Sequence, residues 1–239
     1  MKIFVVTAFP GMVNACLSES MFRKATEKNA VTFEVWNLRD FSRDKHKQID
    51  DTPYGGGAGM VLKPEPFFRA YDRIRKLVGK PKPRVIFPSP QGKTFDHATA
   101  VGLAKEKDLT FFCGHYKGVD ERVLEKLVTD EISLGDYVAT GGELPTLMMI
   151  DAIIRHVPGV LHAYESAETD SFADDLLEGP IYTHPQKYRR LSVPEVLTSG
   201  NHAKITDWKY GQRLKRTRER RTDLIEKLTE NNDSGGKNG

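Results

Sequence analysis

Cysteine is scarce in this chain. Cys16 and Cys113 are the only two in 239 residues, and neither stands in CxxC or Cys/His spacing. That excludes a disulfide framework and a zinc site and leaves reduced thiols as the expectation. No apolar run of 18 residues occurs, so no membrane span is expected. The opening MKIFVVTAFPGMV is too short and too strand-like for a secretory signal, which makes the cytoplasm the expected location. Nucleotide-cradle signatures are missing too. The stretch DTPYGGGAGMVL (51–62) holds Gly55, Gly56, Gly57 and Gly59, but G-x-G-x-x-G fails there, ending on Met60 or Leu62. No Lys-Ser or Lys-Thr pair follows, and the entering segment SRDKHKQIDD has no strand pattern. These glycines are read as a backbone requirement, for positive φ or for close approach of another segment.

Net charge is also slight, at +3 from 36 Lys+Arg and 33 Asp+Glu, but it is unevenly spread. Between Lys204 and Arg221 stand eight basic residues (Lys204, Lys209, Arg213, Lys215, Arg216, Arg218, Arg220, Arg221) against Asp207 and Glu219. Trp208 and Tyr210 lie among them, and Lys187, Arg189 and Arg190 come shortly before. Such a run is either a solvated helix face or a polyanion surface. Its one-sidedness favours nucleic acid, which phosphates hold by counterion release and exposed bases by stacking.

What is present is a chain long enough for one large domain or two modest ones. Short apolar runs at 2–7, 31–38, 84–89, 109–114 and 131–138 read as strands, and helical patterns at about 12–29, 64–78, 95–106, 119–128 and 142–156 alternate with them. That alternation predicts an α/β fold with a largely parallel sheet covered on both faces. From about residue 161 the texture becomes polar and turn-rich. It is read as a linker (161–175), then a small helical domain (176–230), then a disordered tail (231–239).

Ligands of an open parallel sheet bind beyond the carboxyl ends of its strands. Three strand exits here are built from small and turn residues: PSPQGK (88–93), CGHYKGVDER (113–122) and SLGDYVATGGELP (133–145). Each alone is simply a turn. Three on successive strands predict one shared pocket, with Gly114, Gly118, Gly135, Gly141 and Gly142 letting the backbone close on a ligand.

GHYKGVDER followed by SLGDYVATGGELP resembles the bacterial tRNA (guanine-N1)-methyltransferases of the SPOUT superfamily. SPQG, PYGGGAGM, DSF…LLEGPIYTHP, LTSGNH and RTRERR occur in that family's order, so the resemblance covers nearly the whole chain. It implies a domain at 1–160 whose C-terminal part is a trefoil knot, and a small all-helical C-terminal domain that binds tRNA. It implies S-adenosylmethionine held by Gly114 and by Leu134, Gly135, Asp136, Tyr137, Val138 and Ala139. Tyr116, Gly141, Gly142, Ser89 and Pro90 would line the same pocket. Ser171, Arg189, Arg190, Lys209, Arg213, Arg216 and Arg220 are the implied tRNA contacts. A homodimer with each active site shared between subunits is implied as well, and no membrane partner.

The reaction implied is methyl transfer to N1 of the guanine immediately 3′ of the anticodon, position 37 of tRNA. That nitrogen carries a proton at neutral pH, so a base must remove it, and negative charge then develops on the neighbouring oxygen. By resemblance Asp170 is the base and Arg155 the cation. Read alone, Asp170 is an N-cap ahead of a helix and Arg155 an i,i+4 partner of Asp151. Lys117 stands where the family usually has a glutamate, His184 where it has an arginine, and Ala58 where it has a proline. Magnesium dependence is a family property, but Lys117 reverses the charge at the residue it would use, and no metal ligand is assigned. Methylation of a ribose hydroxyl or another base, and a catalytically impaired RNA-binding homologue, stand as alternatives. The other histidines, His115 among them, are read as packing or surface residues.

Overall fold

The computed structural model describes residues 1–79, 81–161 and 170–235. The chain divides into two compact units, Met1–His162 and Ala163–Gly239. The expected linker falls, for residues 162–169, outside the described residues, as do residues 236–239 of the expected tail.

The first unit is a five-stranded parallel sheet with helices on both faces. Its strands are β1 (Lys2–Thr7), β2 (Thr32–Asn37), β5 (Val85–Thr94), β6 (Asp108–Phe112) and β7 (Asp130–Ser133), in the order β2-β1-β6-β5-β7. A short antiparallel pair, β3 (Asp50–Asp51) and β4 (Val61–Leu62), lies outside it. Alternation along β1 sends Ile3 and Val5 to one face and Phe4 and Val6 to the other. The first face is covered by α1 (Pro10–Leu17), α2 (Ser20–Glu27), α4 (His97–Leu103) and α6 (Glu143–Ile154), through Val13, Ala25, Leu103 and Ile150. The second is covered by α3 (Pro64–Val78) and α5 (Glu121–Leu127), through Phe67, Ile74 and Val123. Each fully buried Phe, Leu or Ile stabilises this arrangement by about 1.5–3 kcal/mol.

Local chemistry sets the boundaries. Pro64 and Pro66 open α3, and Gly79 at φ +79 closes it. Asp96 accepts from Thr99 N at 2.8 Å to cap α4, and Asp120 from Arg122 N at 3.0 Å to cap α5. Three expectations need correction. The helix placed at 12–29 is two helices, interrupted where Ser18 Oγ donates back to Ala15 O at 2.9 Å. The strand placed at 131–138 ends at Ser133, whose hydroxyl accepts from Gly135 N at 3.1 Å and turns the chain at Gly135, φ +139. The strand placed at 84–89 runs on to Thr94 with a register shift, Pro88 and Lys93 both opposing Ile132. Two prolines without N–H donors break the ladder there.

The second unit is not all-helical. A two-stranded hairpin, β8 (Lys187–Tyr188) and β9 (Leu191–Ser192), precedes α7 (Glu195–Thr198), α8 (His202–Arg220) and α9 (Thr222–Gly235). Asn201 caps α8, accepting from Lys204 N at 3.1 Å. Residues 231–235, placed in a disordered tail, continue α9, because extending an existing helix needs no new nucleus. Among the described residues no helix is long and apolar enough to cross a membrane.

Candidate functional site

The irregular stretch of β5 at 88–91 and the exits of β6 and β7 surround one cleft of about 400 Å³. Ser89, Pro90 and Gln91 come from the register shift in β5, Gly114 to Val119 from the loop after β6, and Leu134, Gly135 and the 137–142 segment from the loop after β7. Of the residues expected to hold a small ligand, all line this cleft except Asp136. The size and mixed lining suit a nucleoside-sized molecule.

Two loops of the wall meet main chain to main chain. Gly142 N donates to Gly114 O at 2.7 Å, and His115 pairs with Gly141 in an antiparallel bridge. The loop after β7 therefore lies directly on the loop after β6. A Cβ at Gly142 would stand 2.9 Å from Gly114 N and 3.0 Å from Cys113 Cα, so no larger residue fits without moving backbone. Tyr116 holds φ +59, a conformation a bulky residue adopts only under constraint, and its ring stands edge-on to His115. Val138 is 85% exposed on the cleft rim.

A buried polar group supports this wall from below, and sequence reasoning missed it. Glu143, 3% exposed, sits in the first turn of α6, where the helix N-terminus favours a carboxylate. Its Oε1 accepts from Thr7 Oγ1 at 2.7 Å, and Thr7 Oγ1 accepts from Phe9 N at 2.9 Å. Its Oε2 lies 3.7 Å from Nδ1 of His115, a buried atom with no hydrogen-bond partner. Thr7 and Glu143 are 136 positions apart, so no local motif announces the pair. Burial and the nearby Glu143 charge push the Cys113 thiol far up, which makes it packing rather than a nucleophile.

The glycine-rich loop packs against Lys117 without lining the cleft. Lys117 N donates to Met60 O at 2.9 Å, and a Cβ at Gly59 would touch Lys117 Cβ at 3.6 Å. Gly55, Gly56 and Gly57 take φ +83, +80 and +115 with open space around them, and Tyr54 is fully exposed. None of these residues lines the cleft.

Arg155 ends α6 as its C-cap in the first unit; Asp170 belongs to the second. No helix follows Asp170. Residues 171–176 form turns, with Phe172 N donating to Leu176 O at 2.9 Å, so the N-cap reading of Asp170 falls. Ser171 Oγ accepts from Glu178 N at 2.9 Å and closes the same turn region.

The basic residues divide. Arg213 is ion-paired to Asp174, and Arg216 Nη1 donates to Glu178 O at 3.0 Å and Gly179 O at 2.9 Å. Both fasten residues 174–179 onto α8. Part of the hydrogen-bonding capacity of each is thus used inside the unit. Lys209, Arg220, Arg189, Arg190 and His184 are exposed. Among the described residues no group of three or more His, Cys, Asp or Glu side chains could hold a metal ion. On the rim, Lys117 and Glu121 present one cation and one carboxylate, a poor set for magnesium.

Comparison with known proteins gives one consistent result. The family profile described as tRNA (Guanine-1)-methyltransferase TrmD matches residues 1–227. A Brevibacillus brevis protein named tRNA (guanine-N(1)-)-methyltransferase is 54% identical over 228 residues, 95% of this chain and 93% of the relative. A Dehalococcoides mccartyi protein of the same name is 52% identical over 229 residues, covering 96% and 92%. One from Clostridioides difficile is 47% identical over 230 residues, covering 96% and 100%.

Proposed function

Because the chain belongs to the tRNA (guanine-1)-methyltransferase family, we propose that it transfers a methyl group from S-adenosylmethionine to N1 of the guanine 3′ of the tRNA anticodon. The observation that carries this reading is the convergence of Ser89, Pro90, Gly114, Tyr116, Gly141 and Gly142 on one cleft at the carboxyl end of the sheet. The fit is chemical as well as spatial. Glycines bring main chain close at 114 and 141–142, which suits the polar edge of an adenosyl group, with apolar Phe87, Leu124 and Val138 for its ring. The family's trefoil knot is carried over with this reading, and so is the cytoplasmic location.

When bound, S-adenosylmethionine supplies a methyl group on a sulfonium, whose sulfur keeps the bonding electron pair as the methyl leaves. The chain's residues do the rest. The backbone of 114 and of 134–142 holds the donor's adenosyl portion. Asp170 takes the proton from guanine N1, which frees the lone pair that forms the new N–CH₃ bond. Arg155 offsets the negative charge that develops on the guanine oxygen. Glu143, tied to Thr7, keeps the start of α6 and hence the cleft wall in place.

The active form we propose is a homodimer. Leu144 and Met148, one turn apart on α6, are 53% and 59% exposed, and α6 packs against α1, which carries exposed Met12. Such an apolar face suits a second copy of the chain. The second unit supplies the tRNA contacts. The test is incubation with methyl-labelled donor and a tRNA transcript, followed by digestion to nucleosides. Label in 1-methylguanosine is expected; label in a ribose-methylated nucleoside or another base, or none at all, overturns the assignment.

A further inference from the structure

The β8–β9 hairpin carries a conflict between its backbone and its residues. Lys187 pairs with Ser192 and Tyr188 with Leu191, which leaves a two-residue connection, Arg189–Arg190. Both have positive φ, +46 and +67. A connection left-handed at both central residues is the type I′ kind, which strongly prefers Asn-Gly because a Cβ is disfavoured there. Elsewhere this chain meets such demands mainly with glycine, as at Gly55, Gly56, Gly57, Gly79 and Gly200. Among the described residues, Arg189 and Arg190 are the only adjacent pair of non-glycine residues with positive φ. Arginine is not the residue such a turn favours at either position.

The side chains explain what the backbone does not. Residues 181–192 are all exposed. Lys187, Arg189 and Arg190 put three cations within four positions, and no Asp or Glu occurs between Glu178 and Glu195. Among the described residues none of the three has an acidic partner; the Arg189 guanidinium lies 5.4 Å from the ring centre of Tyr188. The basic helix α8 differs. Arg213 is held by Asp174, Arg216 by two carbonyls, and Lys215 lies 3.9 Å from Glu219. The helix shows more positive charge in its sequence than it offers to a ligand, whereas the hairpin offers all of its own.

Resting on the tRNA reading above, we propose that the Arg189–Arg190 tip is a preformed contact for the tRNA phosphodiester backbone, kept in an unfavourable turn because both guanidinium groups are needed there. A short hairpin fixes the direction of its tip, and the Tyr188 ring restrains Arg189, so little side-chain freedom remains to be lost on binding. Two planar, forked donors side by side suit adjacent phosphate groups.

The double substitution Arg189→Asn/Arg190→Gly tests this, because it removes both charges while installing the preferred turn. In the full-length protein Tm should rise by roughly 2–4 °C. Affinity for a tRNA transcript should fall on the order of tenfold, and the slope of log affinity against log salt should become shallower by about 1–2. Arg189→Lys/Arg190→Lys should keep the wild-type slope. If wild type binds and methylates tRNA but the Asn/Gly variant matches its affinity and slope, the hairpin proposal falls and the proposed function stands. A loss of affinity with unchanged slope overturns the phosphate assignment, as recognition of a base or of a protein partner would produce. A lower Tm overturns the strain argument. Absence of tRNA binding by wild type overturns the proposed function and this inference together.

Discussion

The candidate site of the first unit is shaped by close main-chain approach at glycines, and the exposed surface of the second unit is made of side chains. Around the cleft, Gly114, Gly141 and Gly142 bring peptide groups together, and buried Thr7 and Glu143 hold the wall from beneath. On the second unit, exposed Lys187, Arg189, Arg190, Lys209 and Arg220 carry charge into solvent. At Gly142 the wall leaves no room for a Cβ, so substitution there acts through geometry. A charged surface loses affinity one contact at a time, in steps that salt reveals. The same chain therefore holds one site sensitive to volume and one sensitive to charge.

The largest effect is expected at the proposed base. Asp170→Asn should slow methyl transfer by about 10²- to 10⁴-fold in a single-turnover assay while donor and tRNA still bind. A near-wild-type rate would remove Asp170 from the mechanism. Next comes the cleft. Gly142→Ala places a Cβ 2.9 Å from Gly114 N, and donor affinity should drop by about tenfold or more, with tRNA affinity unchanged. This sharpens the contrast, since one methyl group is then enough to weaken binding at the cleft.

Smaller effects probe stability. Arg216→Ala removes the donors to Glu178 O and Gly179 O and should destabilise the second unit by about 1–3 kcal/mol in thermal denaturation. It should change the salt slope of tRNA binding less than the hairpin variant does, because Arg216 is engaged within the unit. The smallest effect is expected at the opposite end of the sheet from the cleft. There Arg84 donates to both carboxylate oxygens of Asp130, at 3.0 and 2.7 Å. The Arg84 hydrogen bond holds the Asp130 carboxyl below its usual range. A depressed carboxyl contributes stability that is present above its unfolded pKa of about 4 and is lost as pH falls through the folded value. Asp130→Asn should cost about 1–2 kcal/mol at neutral pH and show a weaker loss of stability on acidification below pH 4.

The first unit was largely legible in the sequence because its signals are local. Short apolar runs such as KIFVVT and the proline and glycine bracketing of α3 place the elements, and the loops rich in small residues at 88–93, 113–122 and 133–145 place the cleft. Strand ends were less legible. Residues 134–138 look like a continuing strand until the Ser133 hydroxyl bonds Gly135 N, a bond between side chain and backbone that periodicity does not encode. The Thr7–Glu143 pair was invisible because it joins the end of β1 to the start of α6. In the second unit the sequence misled by counting. Arg213 and Arg216 look identical to Arg218 and Arg220 until Asp174 and the carbonyls of Glu178 and Gly179 take up the first two. The hairpin tip gave no turn signal, since Arg-Arg is the opposite of the residues a left-handed connection prefers.

Calorimetric titration of S-adenosylmethionine into full-length Gly142→Ala and Arg189→Asn/Arg190→Gly tests the division most directly. The donor should bind the hairpin variant with wild-type affinity and bind the glycine variant at least about tenfold more weakly. Wild-type donor affinity in the glycine variant, or a weakened one in the hairpin variant, would contradict the assignment of the donor to the backbone cleft of the first unit.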